Sequence, residues 1–251
     1  MTPAQRARSD IRDKRHTGST RGLALGYVQC NLAVLPQALA FEFLLYCQRN
    51  ARACPVLEVC DPGSAEPKLA PGADLRTDLP RYSLFEEGRR RDVADASALW
   101  RPDLVAFLIG SGITFDQALE RAGVPTDRHR WVLRSKIPTV PAGRFRGDMA
   151  VTMRWLTPEQ AITATQVSSR FPFNHGAPIH IGDPAGIGAD LHEPLFGGPV
   201  PEIPKGVVPV FWACGVTPQE AALEAKIDFM ITHAPAHGFI TDLEADKFCI
   251  P

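Results

Sequence analysis

Four of the seven histidines, all in the last third of the chain, accompany an aspartate that could act with them. The histidines are His175, His180, His233 and His237, and the aspartate is Asp183. Imidazole and carboxylate groups can bind a metal ion or exchange protons with a substrate. A proline interrupts the segment between the last two histidines, so these two do not lie one helical turn apart, as they would in a helical zinc motif. Both alternatives therefore stay open for this group.

Cys214 is a candidate nucleophile, because it follows the apolar run 211–213 and precedes Gly215 at a predicted strand–helix turn. A thiolate can attack a carbonyl when a base adjoins it. A thiol at the end of an apolar run more often packs as a small hydrophobic side chain. The sequence favours packing for Cys214 and leaves the nucleophile as an alternative.

Two arginines, Arg144 and Arg146, alternate in a strand-like manner around Phe145. Alternation sends both guanidinium groups to one face while the aromatic ring packs on the other. A guanidinium fork fits a carboxylate, and two solvated arginines at a strand edge are an equally acceptable interpretation.

Three segments repeat a strand, a turn and the start of a helix, which predicts an α/β protein. The strands fall at 105–109, 149–153 and 207–213, and Thr114, Thr157 and Thr217 are predicted to cap the helices that follow. We expect a layered main domain with a mixed or mostly parallel sheet. In such sheets ligands collect at the carboxyl ends of strands, so the polar residues that follow the strands should meet in one cleft.

Around this pattern we predict a helix from Pro3 to about Lys14, another from Gln37 to about Arg49, and buried strands at 55–59 and 227–232. Short strands around several prolines between 124 and 171 suggest a smaller inserted α+β subdomain. The main α/β domain would then comprise 1–123 and 172–251. The aperiodic connections at 63–80 and 182–209 are long enough to suggest a functional role.

Charge and composition limit the partners. The chain has 27 basic and 28 acidic residues, so no basic surface field for nucleic acid or an anionic membrane is expected, and a small carboxylate is the favoured substrate. Six cysteines without CxxC spacing fit reduced thiols in the cytoplasm. The loop 182–188 has the wrong glycine spacing for a dinucleotide, so no nucleotide cofactor is expected. A divalent metal and a homo-oligomer remain open alternatives.

Seven segments together resemble the bacterial putative hydro-lyase family, which is related to D-glutamate cyclase. The likeness runs from about Arg12 to Leu243 and is carried by Gly26–Asn31, Phe43–Asn50, Asp74–Tyr82, Pro141–Gly147, His175–Pro184, Pro209–Gln219 and Ile231–His237. One departure is visible at 110–116, where the family usually has a cysteine that this chain lacks, so no role of that cysteine can be transferred.

The resemblance implies loss of water from a small acidic amino acid, for instance cyclisation of D-glutamate to 5-oxo-D-proline. Such a reaction needs a base for the amine, a proton donor for the leaving oxygen and donors for the oxyanion. On this hypothesis Arg146, with Arg144, binds a carboxylate, His180 or His233 exchanges protons, and Asp183 orients a histidine. Asn31 and the N–H groups near Gly215 stabilise the oxyanion, and His175 and His237 complete the substrate site.

Two other functions stay open from the sequence. One is a cysteine-dependent hydrolase or acyl transferase that uses Cys214. The other is a non-enzymatic protein that binds an amino acid without converting it. Labelling of the thiol tests the first alternative, and ligand-dependent thermal stabilisation without turnover indicates the second.

Overall fold

The computed structural model describes residues 1–86, 88–126 and 130–250. Its strands are β1 Tyr27–Pro36, β2 Val56–Val59, β3 Tyr82–Glu86, β4 Arg89–Val93, β5 Leu104–Gly110, β6 Trp131–Pro138, β7 Asp148–Leu156, β8 His180–Ile181, β9 Val208–Ala213, β10 Phe229–His233 and β11 Phe239–Glu244. The larger sheet has the order β2-β5-β1-β10-β3-β4, with β11 also paired to β1. The smaller sheet has the order β6-β7-β9-β8.

The predicted mixed or mostly parallel sheet is wrong, because the strand pairs described in both sheets are antiparallel. The three strand–turn–helix segments do not pair with one another as parallel crossover units. Strand β5 joins the larger sheet, whereas β7 and β9 are antiparallel neighbours in the smaller one. A strand followed by a capped turn has the same local sequence in either arrangement, so only the pairing partners distinguish them.

The helices are α1 Pro3–Arg12, α2 Gln37–Arg49, α3 Asp116–Arg121, α4 Pro158–Ser169, α5 Thr217–Glu224 and α6 Ala245–Phe248. The predicted helices α1 and α2 are confirmed, as is the cap of α4. There, the Thr157 side chain accepts a hydrogen bond from Gln160 N and the Gln160 side chain accepts one from Thr157 N.

The other two predicted caps are wrong, because tertiary contacts use the hydroxyl groups. Thr114 Oγ1 accepts from Gln29 N at 3.0 Å and donates to Gln29 O at 3.3 Å, and α3 begins two residues later. Thr217 Oγ1 donates to Cys214 O at 2.7 Å, and Val216 is the residue that precedes α5. Both hydroxyls thereby fix the ends of strands rather than the first turn of a helix.

One edge of β1 is shared between two strands, and this arrangement opens the larger sheet at its centre. β11 pairs with β1 at Tyr27, Gln29 and Cys30, and β10 pairs with it at Ala33 and Val34. Between these pairings, at residues 31–32, neither strand continues the ladder. The side chain of His233, the last residue of β10, reaches the backbone of Leu32 at this gap.

Two buried groups hold the layers together. Phe43 of α2 packs edge-on against Phe107 of β5 at 4.9 Å and against Phe145 at 5.2 Å, which fixes the turn 141–147 on the larger sheet. The smaller sheet has its own apolar cluster around Trp131, Val151 and Phe211.

No helix in the three described ranges combines the length and apolarity needed to cross a membrane.

The smaller sheet combines strands from both sides of a predicted boundary. β6 and β7 lie within 124–171, whereas β8 and β9 follow it. The division into a main domain of 1–123 and 172–251 with an insertion at 124–171 stays a prediction.

Candidate functional site

A cavity of about 340 Å³ lies where the gap in the larger sheet faces the end of β9. It is large enough for a small amino acid. Strands and loops from distant parts of the chain contribute its polar lining, which includes Arg21, Asn31, Ser111, Arg130, Thr152, Arg154, His175, Cys214, Gly215 and His233.

Five of the residues singled out in the sequence lie in this lining: Asn31, His175, Cys214, Gly215 and His233. They come from β1, from the turn after α4, from the end of β9 and from the end of β10. Of these, only His233 and the pair Cys214–Gly215 lie at strand ends, so the expected cleft is formed only in part by strand ends, and the strands are antiparallel. Antiparallel sheets bring such ends together where two sheets meet, and not along one common edge.

The other five do not line the cavity. Arg144 and Arg146 lie on an exposed turn, where Arg144 N donates to Glu42 Oε2 at 3.0 Å and Arg146 Nη2 donates to Gly143 O at 3.3 Å. His180 is half-buried, and its Nε2 lies 2.7 Å from the backbone oxygen of Asp183. The Asp183 carboxylate is exposed and accepts from Ala185 N.

His237 is the fifth of these residues, and it lies in the loop 234–238. It is half-buried, and its Nδ1 lies 2.7 Å from Pro235 O. A carbonyl oxygen can only accept, so Nδ1 carries the proton and this contact holds the ring against its own loop.

Three arginines of the lining, absent from the sequence-based set, give the cavity its charge. Arg154 Nη2 donates to Asp116 Oδ1 at 3.0 Å, and Arg130 Nη2 donates to the other oxygen of the same carboxylate. Arg21 is the third guanidinium. Because one buried carboxylate faces three cations, these four groups carry a net formal charge of +2.

Arg154 is the most deeply buried of the three, at 5% exposure. Its Nε and Nη1 atoms are buried without a hydrogen-bond partner in the described part of the chain, and so is Nε of Arg130. Burial, and next the nearby charge of Arg130, lower the pKa of Arg154 to about 9. Unpaired guanidinium N–H groups are costly to bury. Because Arg154 and Arg130 also line the cavity, the positive charge there favours an anionic ligand.

Aromatic rings hold the Arg154 guanidinium in place. Its Cζ lies 5.1 Å from the ring centre of Trp212 and 5.7 Å from that of Phe115. Cation–π contact fixes the plane of the guanidinium without using its donors. One sequence signal could have revealed this residue, because Arg154 interrupts the apolar strand 149–156. A charged residue inside such a strand is rarely buried unless it is paired or functional.

His175 enters the cavity from a strained turn. Its φ of 76° is in the left-handed region, and its Nδ1 lies 3.0 Å from Arg52 O. Since the carbonyl oxygen can only accept, Nδ1 carries the proton of the neutral ring and Nε2 has a free lone pair. The preceding Asn174 fixes the turn, because its Nδ2 donates to Ser111 O at 3.2 Å and to Thr114 Oγ1 at 3.0 Å.

His233 is in the opposite tautomer to His175. It is the last residue of β10, and its Nδ1 lies 3.2 Å from Leu32 N and 3.4 Å from Leu32 O, in the gap of the β1 ladder. In the shorter contact the amide of Leu32 donates, so Nδ1 is unprotonated and the neutral ring carries its proton on Nε2. The two histidines therefore offer the cavity one acceptor and one donor.

Burial is the main reason that the pKa of both histidines is lowered to about 4. In an unfolded chain their pKa is about 6.5, so between about pH 6.5 and 4 the unfolded chain binds more protons than the folded protein. Stability that is fully present above pH 6.5 is therefore lost as the pH falls toward 4, by roughly 3 kcal/mol per ring at the full extent.

This linkage predicts that His175→Asn flattens the pH dependence of stability. Urea unfolding measured between pH 7 and 4.5 should show a slope smaller by about one proton than in the wild type. Asparagine tolerates the left-handed backbone, so the turn is retained. Identical slopes for variant and wild type would contradict the neutral, buried state of His175.

Cys214 lies at the cavity with a half-buried side chain. Burial is the largest effect on its thiol and raises the pKa above the ordinary value, while a contact with Thr152 opposes the shift. A raised pKa keeps the sulfur as a thiol at neutral pH, which makes it a poor nucleophile without a base.

Gly215 and Asn31 fit against each other at the end of β9. Asn31 Nδ2 donates to Gly110 O at 3.0 Å, which holds the amide group over the backbone of Gly215. A Cβ at position 215 would overlap that amide. The absence of a side chain at Gly215 is thus what lets Asn31 border the cavity.

We expect Gly215→Ala to displace Asn31 and to lower both the stability of the protein and ligand binding in the cavity. Overpacking of this kind costs about 1–3 kcal/mol. The double variant with Asn31→Ala should recover most of the stability, measured by urea unfolding, without recovering ligand binding. Gly18→Ala is the matched control, because a Cβ there meets its neighbours at 3.7 Å or more. Equal losses of stability in the single and double variants would contradict a steric conflict between Asn31 and a side chain at position 215.

Metal ligands were one alternative for the histidines and Asp183. In the ranges 1–86, 88–126 and 130–250, no three His, Cys, Asp or Glu side chains lie together as a potential metal site. His175 and His233 line the cavity, whereas Asp183 lies on a separate exposed loop.

A family profile and the similar bacterial proteins point to the same family. The sequence profile named D-glutamate cyclase matches residues 105–242. A protein of Geobacillus kaustophilus named putative hydro-lyase is 52% identical over 256 residues, covering 97% of this chain and 95% of that protein. One of Bacillus licheniformis with the same description is 50% identical over 249 residues, covering 96% and 95%.

A solved structure, that of a nitrogen repressor-like protein from Methanococcus jannaschii, covers 91% of both chains. Its TM-score is 0.40 and its sequence identity is 13%, so this likeness carries no argument about fold or function.

Proposed function

The chain belongs to the D-glutamate cyclase family, with bacterial relatives named putative hydro-lyases, and on this premise we propose that it removes water from a small acidic amino acid. The proposed reaction is cyclisation of D-glutamate to 5-oxo-D-proline. The observation that carries the proposal is the buried Arg154, whose Nε and Nη1 have no partner in the described ranges, in a cavity that also contains two neutral histidines.

Substrate binding rests on charge. Arg154 and Arg130 would hold one carboxylate of the substrate, because both line the cavity and share the single negative charge of Asp116. A guanidinium–carboxylate pair inside a cavity fixes orientation as well as affinity. With one end of the chain held, the amine can approach the distal carboxyl carbon in the folded shape that ring closure requires.

The proton transfers fit the two histidines. The reaction moves two protons from the substrate nitrogen to the departing oxygen, which leaves as water, and the substrate and product each carry a net charge of −1. His175 Nε2 takes each proton and returns it to the oxygen, while His233 Nε2–H donates a hydrogen bond to the oxyanion. A bound carboxylate raises the pKa of His175 from its low value, because the anion stabilises the imidazolium.

Backbone and amide donors complete the proposed oxyanion site. Gly215 and Asn31 border the cavity at the start of α5, where helix N–H groups favour negative charge. Cys214 lies beside them, and its raised pKa supports a polar neighbour rather than a nucleophile.

The test is product formation. Protein incubated with D-glutamate should yield 5-oxoproline, detected as the loss of one water by mass, with L-glutamate as the stereochemical control. Parallel incubations with a chelator report any metal requirement. Thermal stabilisation by D-glutamate without product would indicate a binding protein, and loss of turnover on stoichiometric alkylation of Cys214 would favour the cysteine-dependent alternative.

Variants decide between the sequence-based site and the cavity. The sequence-based hypothesis assigns the carboxylate to Arg146, with Arg144, and proton exchange to His180 or His233, oriented by Asp183. The cavity hypothesis assigns these roles to Arg154 and His175. Turnover by Arg146→Ala and His180→Ala, measured beside Arg154→Met and His175→Asn, separates the two.

A further inference from the structure

Arg21 reaches the cavity from the segment that precedes β1, outside the residues matched by the family profile. The backbone of this segment is tied to the loop 234–238. Thr20 N donates to Ala236 O at 2.9 Å, Gly238 N donates to Thr20 Oγ1 at 3.0 Å, and Ser19 Oγ donates to Ala236 O at 3.0 Å. The N-terminal segment is thus fixed against one wall of the cavity.

The side chain of Arg21 converges with Arg130 on one carbonyl group. Arg21 Nη2 donates to Thr126 O at 2.9 Å, and Arg130 Nη2 donates to the same oxygen at 3.3 Å. Burial, and next the charge of Arg130, lower the pKa of Arg21. Among the residues that the structure describes, no carboxylate forms a salt bridge with Arg21.

The charge balance of the cavity decides what kind of ligand neutralises it. Among the described residues, Asp116 compensates one of the three guanidinium groups, and two have no carboxylate partner. A monocarboxylate leaves one cation in a partly desolvated site, whereas a dicarboxylate neutralises both. Burial of an unpaired charge is unfavourable, so the second carboxylate should contribute strongly to affinity.

We infer that Arg21 is a specificity-determining residue that binds the second carboxylate and so selects dicarboxylates over monocarboxylates. This inference rests on the proposed function for the substrate class, but it concerns binding and does not require turnover. Arg154 and Arg130 hold one anionic group, and Arg21, on the neighbouring wall, holds the other.

The same charge balance distinguishes substrate from product. Ring closure converts the distal carboxylate into a neutral amide, so 5-oxoproline has one carboxylate where D-glutamate has two. The product therefore leaves one guanidinium group uncompensated and binds more weakly than a dicarboxylate of the same length. Loss of the second anionic group favours release of the product.

Calorimetric titration with two non-reacting ligands tests the role of Arg21. Glutarate has two carboxylates and no amine, and butyrate has one carboxylate. The wild type should bind glutarate at least about 10-fold more tightly than butyrate. Arg21→Met should weaken glutarate binding by about 10- to 100-fold, the range for a charge-assisted pair, and change butyrate binding by less than about 3-fold.

Arg6→Met is the matched control, because it removes an exposed arginine from the same N-terminal segment and should leave both affinities unchanged. Arg21→Lys keeps the charge and should retain a preference for glutarate. This variant tests the role of the charge even if Arg21→Met fails to fold. Equal weakening of both ligands, or unchanged glutarate binding, would overturn the role of Arg21. Glutarate selectivity without conversion of D-glutamate would sustain it and reject the proposed function instead.

Discussion

Replacing the buried arginine should abolish function without unfolding the protein. We expect Arg154→Met to lower kcat/KM for 5-oxoproline formation by about 10²–10³-fold, the range for a lost preorganised donor in a closed site. Its stability should stay equal to that of the wild type or rise by about 1–2 kcal/mol, because a partly unpaired buried cation is replaced by an apolar side chain of similar length. Urea unfolding and the activity assay measure the two effects.

Two comparisons make this result informative. Asp116 keeps Arg130 as a partner in the variant, so no buried carboxylate is left alone. Arg146→Met removes an exposed arginine on the turn 141–147 and should leave stability unchanged. Parallel losses of activity and stability in Arg154→Met would mean that Arg154 serves the fold, and wild-type activity would reject it as the carboxylate site.

Removing the acceptor histidine should stop the chemistry while the substrate still binds. His175→Asn is expected to lower kcat by about 10²–10⁴-fold, the usual contribution of a positioned proton-transfer group. KM should change by less than about 3-fold, because the arginines that hold the carboxylates are intact. Steady-state kinetics with D-glutamate measures both constants.

The comparator for His175 is His180→Asn, at a half-buried position outside the cavity. A matching fall in kcat for His180→Asn would return the proton transfer to the sequence-based assignment. A rise in KM with unchanged kcat for His175→Asn would indicate a binding role and contradict the role of a base.

Some elements followed from local sequence because their signals are local. Pro36 and the apolar run after it indicated α2, and Thr157 with Gln160 indicated the cap of α4. These features depend on residues within four positions of each other, so tertiary context does not need to be known.

The arginines illustrate why local patterns were not enough for the site. Alternation around Phe145 suggested a carboxylate clamp, yet that segment is a turn with Phe145 buried and both arginines exposed. Arg154 carried a weaker signal, a charge within an apolar strand, and it lies at the cavity. Exposure depends on which sheet and loops cover a segment, and the sequence pattern of one strand does not contain that information.

By itself the sequence determined the family and the main helices, and it singled out Asn31, His175, Cys214, Gly215 and His233, which the structure places around one cavity. Only the tertiary structure decided that the sheets are antiparallel, that the gap beside β1 forms the cavity, and that Arg21, Arg130 and Arg154 supply its charge. The physical reason is the sequence separation over which each kind of interaction acts. Capping and periodicity act over a few residues, whereas strand pairing and the burial of a charge depend on contacts between segments more than 100 residues apart, such as Arg21 and Thr126.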